Sequence, residues 1–248
     1  MTGRHAIRLH WLDPRDPAQP FPDPESALIE PDGLLAVGGD LTATRLLNAY
    51  RSGVFPWFNP DEPVLWWSPN PRCVFLPGQL HVSRSLAKRH KQARYAVTFD
   101  QAFDEVIRAC GGPRRGARGT WLSAEMRAGY SALYHLGHAH SVEVWVQGQL
   151  VGGLYGVALG GIFFGESMFS QATDASKLAL LHLSQQLAEW KFALIDCQVV
   201  SPHLSSLGAS SMPRTGFLQE LKAALALPAP VRWKFSPQWA GTQAHLPQ

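Results

Sequence analysis

A chain of 248 residues, 46% of them hydrophobic, can build one large globular domain or two small ones, and a formal net charge of +3 is too weak to establish a nucleic-acid partner. Cys73, Cys110 and Cys197 are odd in number and widely separated, which argues against a disulfide framework or a thiolate metal cage and favours a reducing cytoplasm. Residues 1–8 lack the apolar core of a secretory signal and no later stretch reaches the length of a bilayer span, so a soluble protein is expected.

Residues 13–33 carry Pro14, Pro17, Pro20, Pro22, Pro24 and Pro31, a pattern for an extended arm wrapped over the body. A helix follows, capped by Asp40 or Thr42, with Leu46, Leu47 and Tyr50 on its apolar face and Gly53 at its end. Residues 55–72 read as a rigid aromatic loop, because prolines interrupt a run of rings that includes Trp57, Trp66 and Trp67. Most of these rings are expected to pack as a small core. Trp57 is the one expected to face a ligand.

Residues 73–76 and 95–99 read as strands, and 83–94 as a basic helix capped by Ser83 or Ser85. A helix over 101–109 stops at Gly111-Gly112-Pro113, and an Arg-rich loop over 114–118 leads to Trp121 and a helix over 123–136 that Gly137 terminates. Strict alternation over 142–146, a partner strand over 150–159 and a third over 162–169 predict an antiparallel meander. Asp174 is placed to cap a mostly apolar helix over 175–190, a core strand follows over 192–199, and 201–208 reads as a loop. Pro213 opens a last helix bearing Phe217, Leu218 and Leu221 before a tail from residue 227.

Charge is unevenly spread. No acidic residue lies between Glu62 and Asp100, whereas Arg72, Arg84, Lys88, Arg89, Lys91 and Arg94 do, followed by Arg108, Arg114, Arg115 and Arg118. Such a run suits a solvated face and phosphate contacts equally well.

The chemistry concentrates between residues 160 and 198, where Glu166, Asp196 and Gln198 interrupt apolar strands at a cost of several kcal/mol unless they find partners. Alternation places Leu194, Asp196 and Gln198 on one face and Ile195, Cys197 and Val199 on the other, so Asp196 and Gln198 are expected to meet or to share a ligand. A buried Asp satisfied by backbone donors is the plainer alternative. Ile162, Phe164, Glu166 and Met168 share a face unless Gly165 hosts a bulge. His135, His138 and His140 have no completing ligand and suit a helix end better than a metal, so no metal and no cofactor are expected. Phosphate-loop, dinucleotide and nucleophile-elbow motifs are absent, and Cys197 reads as a packed thiol.

The order meander, helix, strand over 142–199 resembles the acyltransferase half of the Gcn5-related N-acetyltransferase superfamily. That superfamily binds the pyrophosphate of coenzyme A at a Gly-rich turn, and here the turn is Ser170-Gln171-Ala172-Thr173-Asp174, without glycine and with an acidic end. A closer resemblance rests on Glu30-Pro31-Asp32-Gly33-Leu34-Leu35, Gly38-Gly39-Asp40-Leu41, Phe55-Pro56-Trp57-Phe58, Trp66-Trp67-Ser68-Pro69, Gly137-His138-Ala139-His140-Ser141, Phe164-Gly165-Glu166-Ser167-Met168-Phe169 and Ile195-Asp196-Cys197-Gln198. Together these are similar to the bacterial leucyl/phenylalanyl-tRNA protein transferases over about residues 20 to 222.

The resemblance implies an α+β fold: a small N-terminal domain over 1–70 and an acetyltransferase-like catalytic domain over 71–248, with a mixed, mainly antiparallel sheet. It implies transfer of leucine or phenylalanine from Leu-tRNA or Phe-tRNA to a protein with N-terminal Arg or Lys, creating a degradation signal, by a monomer without a membrane partner. Asp196, Gln198 and Glu166 fall on its catalytic positions. Leu154, Phe163, Gly165, Met168, Leu180, Leu183 and Ile195 fall on its aminoacyl pocket, and Trp57 and Trp121 near the terminal adenosine. Arg84, Lys88, Arg89 and Lys91 are the expected tRNA contacts. Leu154 and Leu183 stand where Met and Phe are expected, and Ser201 where Asn is expected. In the implied chemistry the Gln198 amide oxygen orients the acceptor amine, Asp196 fixes that amide, and Glu166 separately holds the donor. The alternatives are a coenzyme A dependent N-acetyltransferase and a non-catalytic RNA-binding module.

Overall fold

Helices start where the sequence supplies a side-chain oxygen to their free N–H groups. Thr42 Oγ1 accepts from Arg45 N ahead of α1 (Ala43–Arg51), and Ser83 Oγ accepts from Leu86 N ahead of α2 (Arg84–Gln92). The next helix, α3 (Phe103–Cys110), lacks such a cap but carries Asp104 and Glu105 in its first turn, while Ser123 caps α4 (Ala124–His135). The computed structural model describes residues 9–59, 61–112 and 122–236. Among these no helix is long and apolar enough to cross a membrane.

The arm is an ordered element, pinned by one buried cation. Arg45 is fully buried, and its guanidinium donates to the carbonyls of Gln19 (2.8 Å), Asp13 (3.1 Å) and Asp16 (2.5 Å). Phe21 lies against that guanidinium and edge-on to Trp66, so the arm closes over the first sheet. That sheet has four strands in the order β1-β2-β4-β3: β1 (His10–Leu12) and β2 (Leu34–Gly38) are parallel, and β3 (Phe55–Pro56) and β4 (Leu65–Trp67) are antiparallel additions. The expected aromatic loop therefore contains two short strands, and residues 34–38 form a strand where none was predicted. Trp66 is fully buried beneath it, its indole N–H donating to Gly38 O at 2.8 Å.

The second sheet carries seven strands in the order β11-β5-β10-β9-β8-β7-β6. Its members are β5 (Arg72–Phe75), β6 (Ala96–Phe99), β7 (Ala139–Val146), β8 (Gln149–Leu159), β9 (Ile162–Ser170), β10 (Leu194–Gln198) and β11 (Ser210–Met212). The predicted meander is β7-β8-β9, and every pairing is antiparallel except β9 with β10. This is an α+β fold with a mixed, mainly antiparallel sheet. One face packs on α1, α3, α4 and α7 (Arg214–Leu225) through Tyr50, Val106, Met126 and Phe217. The other face packs on α5 (Ala175–Glu189) and α2 through Leu180, Leu183, Leu187 and Leu86.

Two local expectations are corrected. Asp174 does not cap α5: it sits at φ +63, and its carboxylate reaches Lys177 (2.8 Å) and Arg89 (3.5 Å), while Ser170 Oγ accepts from Ser176 N. The expected loop at 201–208 contains α6 (Pro202–Ser206), capped by Ser201. Its five residues are too short for periodicity to reveal.

Gly156 marks the tightest backbone approach in the meander. A Cβ there would lie 2.2 Å from Phe164 O and 2.5 Å from the Phe163 ring, so the space belongs to the neighbouring strand and its aromatic side chain. Gly156→Ala is expected to destabilise the protein by about 1–3 kcal/mol. Thermal unfolding should show Tm lowered by roughly 2–12 °C.

Candidate active site

Strands β9 and β10 pair only from Ile162/Leu194 to Phe164/Asp196. Past that point each departs from regular register. On β9, Tyr155 of β8 opposes Ser167 while Gly156 opposes Gly165, so Glu166 is the extra residue of a bulge. On β10, Asp196 opposes Val74 of β5 while Gln198 opposes Cys73, so Cys197 is extra there. The strands part, and Gly165-Glu166 faces Cys197-Gln198 across the opening.

The bulge on β10 overturns the simple alternation expected for Asp196 and Gln198. Gln198 takes φ +62, which swings its side chain back toward β9, and its Nε2–H donates to Glu166 Oε1 at 2.7 Å. Asp196 is fully buried and turns the other way: Oδ1 accepts from Arg72 Nε (2.8 Å) and Oδ2 from Arg72 Nη2 (2.6 Å). Its one link to Gln198 is through the backbone, Gln198 N–H donating to Oδ1 at 2.9 Å. Asp196 thus holds the main chain of Gln198 rather than its amide, and the separate stations expected for Glu166 and Gln198 are a single hydrogen-bonded unit.

Glu166 Oε2 accepts from the Tyr130 hydroxyl at 2.7 Å, and the Tyr130 and Tyr50 hydroxyls are hydrogen-bonded to each other at 2.7 Å. Tyr50 and Tyr130 are fully buried and Tyr50 packs on Phe164. Glu166 therefore has only neutral donors, and burial, partly offset by these bonds, pushes its carboxyl up from the ordinary range to about 7. Its anion is available near neutrality.

Two cavities meet at this unit. The first, about 270 Å³, is largely apolar and enters between β8, β9, β10 and α5. Leu154, Phe163, Gly165, Met168, Leu180, Leu183 and Ile195 all line it, together with Glu166, Gln198 and Ser201. Tyr155, Ser167, Cys197, His203 and Leu204 also line it, although the sequence reading placed none of them there. The second, about 220 Å³, is lined by Phe55, Pro56, Trp57 and Val199, and shares Glu166, Cys197 and Gln198 with the first. Trp57 is half exposed, with its carbonyl held by the Trp67 indole N–H at 2.6 Å. Asp196 lines neither cavity. Burial pushes the Cys197 thiol far above its usual range, so at neutral pH it is a packed thiol rather than a nucleophile.

Arg84, Lys88, Arg89 and Lys91 are exposed on α2, which docks on α5; Arg89 alone among them faces an acid, Asp174. Beneath them His90 Nδ1 and His182 Nε2 both lie within hydrogen-bond distance of the Tyr95 hydroxyl (2.8 and 2.9 Å). Trp121, Arg114, Arg115 and Arg118 fall outside the described residues. His140 does not belong to a helix end as expected: it lies on β7, with Nδ1 2.8 Å from Asp100 and its ring stacked on Trp233 at 3.6 Å. Among the described residues no three His, Cys, Asp or Glu side chains converge to hold a metal.

Sequence reasoning missed Arg72, Tyr50 and Tyr130. A signal for Arg72 existed, since a buried carboxylate at Asp196 demands a cation and Arg72 stands at the start of an apolar strand. Tyr50 and Tyr130 looked like ordinary apolar-face residues of helices.

Comparison with known proteins adds an independent line. The family described as leucyl/phenylalanyl-tRNA protein transferase matches residues 74–222, and its N-terminal domain matches residues 39–70. A leucyl/phenylalanyl-tRNA–protein transferase of Alkalilimnicola ehrlichii is 57% identical over 222 residues, covering 89% of this chain and 86% of that protein. Proteins of the same name from Thiobacillus denitrificans (55% over 224 residues; 90% and 98% covered) and Stutzerimonas stutzeri (56% over 226 residues; 91% and 99% covered) are similarly related. With more than half of its residues identical over about nine tenths of its length, the chain belongs to the leucyl/phenylalanyl-tRNA protein transferase family.

Proposed function

We propose that this chain acts in the cytoplasm as a monomer. In that reading it transfers leucine or phenylalanine from aminoacyl-tRNA to the α-amine of a protein beginning with Arg or Lys, marking that protein for degradation. The observation that carries the reading is the Glu166–Gln198 unit at the junction of an apolar cavity and an aromatic one. The donor side chain enters the first cavity, with Leu180, Leu183 and Phe163 as its walls. The terminal adenosine lies toward Trp57, which places the ester carbonyl beside Gln198.

In this mechanism the acceptor amine donates to Gln198 Oε1, which no described residue occupies because the Nε2 side of the amide is committed to Glu166. An α-ammonium with a pKa of about 7.7–8.0 is close enough to Glu166 to pass its proton there without a large penalty. The neutral amine attacks the ester carbonyl. A C–N bond forms, the C–O bond to ribose breaks with its electron pair going to the ribose oxygen, and a proton from the attacking nitrogen ends on that oxygen. The ester is already activated, so positioning supplies much of the acceleration, up to roughly 7–11 kcal/mol in favourable cases.

A coenzyme A donor is disfavoured by the N-terminus of α5, where Asp174 and its ion pairs stand at the position a pyrophosphate would need. A purely RNA-binding module leaves the Glu166–Gln198 unit without a purpose. Incubation with radiolabelled Leu-tRNA and a peptide beginning with Arg should give labelled peptide; its absence, or transfer from acetyl coenzyme A instead, would overturn the assignment.

Four further outcomes are expected. Because the Glu166 pKa is raised, the group is protonated below about pH 7, so the single-turnover rate should fall as pH drops through that value. Glu166→Gln should lower the rate and abolish that inflection, leaving only the titration of the acceptor amine. Leu183→Phe should narrow the first cavity and reduce kcat/KM for Phe-tRNA relative to Leu-tRNA by about tenfold or more. Lys88→Glu with Lys91→Glu should weaken tRNA binding and reduce the slope of log affinity against log salt by roughly one to two, which filter binding over a salt series would measure.

A further inference from the structure

We infer that Arg72 is a positioning residue for the transfer reaction, acting through Asp196 and a strained turn at Gln198 to hold the Gln198 side chain at the junction of the two cavities. The inference rests on the proposed function.

The turn is unusual. Val199 N–H donates to Cys197 O at 2.7 Å across a single intervening residue, Gln198, at φ +62. A three-residue turn with positive φ at its centre is the rare and strained form of the γ-turn, and a β-carbon-bearing residue persists there only when its surroundings over-determine it. The over-determining group is the Asp196 carboxylate, whose Oδ1 accepts at once from Gln198 N (2.9 Å) and from Arg72 Nε (2.8 Å). Without that acceptor, the Gln198 N–H loses its partner and the turn its brace.

Arg72 in turn is fixed on every side. It is fully buried, its Nη1 donates to Gly53 O at 3.2 Å, and its guanidinium lies 4.8 Å from the Phe55 ring centre and 4.4 Å from that of Phe217. Phe55 is itself a wall of the second cavity. The same planar group therefore registers both walls of that cavity: the segment Phe55–Trp57, through Phe55, and the turn that carries Gln198, through Asp196. Lysine carries the charge but has neither the flat stacking surface nor the paired bonds. The outward geometry of Asp196, which lines neither cavity, explains how it serves the reaction without touching a substrate.

The test is steady-state kinetics with Leu-tRNA and an Arg-leading peptide, with Tm measured in parallel, on three variants. Arg72→Met/Asp196→Leu removes both charges and leaves no unpaired one, so the fold should survive while the turn loses its brace. We expect kcat reduced about 100-fold with KM for Leu-tRNA within about threefold of wild type, since a shift of roughly 1 Å at the reacting groups suffices for that loss. Arg72→Met/Asp196→Asn keeps an oxygen able to accept the Gln198 N–H and should recover about tenfold of the lost kcat, because the backbone brace survives without the carboxylate charge. Arg72→Lys keeps the ion pair and the fold, and should lower kcat by about tenfold with KM unchanged.

Wild-type kcat in the Met/Leu variant or in Arg72→Lys overturns the inference, as does a folded Met/Asn variant no better than Met/Leu. If the double variants do not fold, Arg72→Lys alone decides. Failure of the wild-type chain to transfer label refutes the proposed function; an active wild type with indifferent variants refutes only the role of Arg72.

Discussion

Everything at the site follows from one interruption of backbone bonding: the parallel ladder between β9 and β10 ends at Phe164 and Asp196. A sheet interior that stops pairing exposes N–H and C=O groups that must be satisfied some other way, and it opens a gap that side chains or a ligand must fill. Here the two strands bulge at Glu166 and Cys197, one residue each, and the gap becomes a cleft with an apolar floor. The polar residues that looked costly in the sequence are the ones that repair the break. Asp196 accepts from the Gln198 N–H, and Gln198 bridges across to Glu166.

The two acids beside the break are handled in opposite ways. Asp196 is matched by a whole guanidinium in a paired, planar contact, which ties it into the scaffold. Glu166 meets tyrosine hydroxyls and an amide, neutral donors that satisfy its oxygens without cancelling its charge. It is thus left near the point where gaining or losing a proton costs little at neutral pH. The division of labour between structure and chemistry is set by which neutral or charged donors each carboxylate meets, not by the residue type.

The longer elements were legible because their periodicity and caps are strong. Helices α1, α2 and α4 start at Thr42, Ser83 and Ser123, and the meander over 139–170 shows alternation and glycine turns. Strands β3, β4 and β11 and helix α6 run for two to five residues, too few for any period to register. Alternation along β10 failed at the residue where it mattered most, since one extra residue at Cys197 reverses the direction of Gln198. Asp174 looked like a cap and is an ion-pair hub, because the oxygen that serves the helix start comes from Ser170, outside the expected position. Seven residues of the apolar cavity were found through resemblance, and Tyr155, Ser167, Cys197, His203 and Leu204 were not. The tyrosines that tune Glu166 were not, because a tyrosine on an apolar helix face gives no sign that its hydroxyl reaches an acid on a different strand.

The buried guanidinium of Arg45 changes what the first residues of the described chain amount to. Its Nη1 and Nη2 atoms donate to main-chain carbonyls at Asp13, Asp16 and Gln19, while Nε faces the Asp40 carboxylate at 3.5 Å, so the grip on the arm itself is made through groups with no side-chain identity. Many different sequences could therefore follow that route, provided the chain turns in the same places. A chain shortened to begin after Gln19, by contrast, would strip the Arg45 guanidinium of its three carbonyl acceptors and leave it only the Asp40 carboxylate at 3.5 Å. Measured by what it completes, this proline-rich strap counts as interior, although most of its residues touch water.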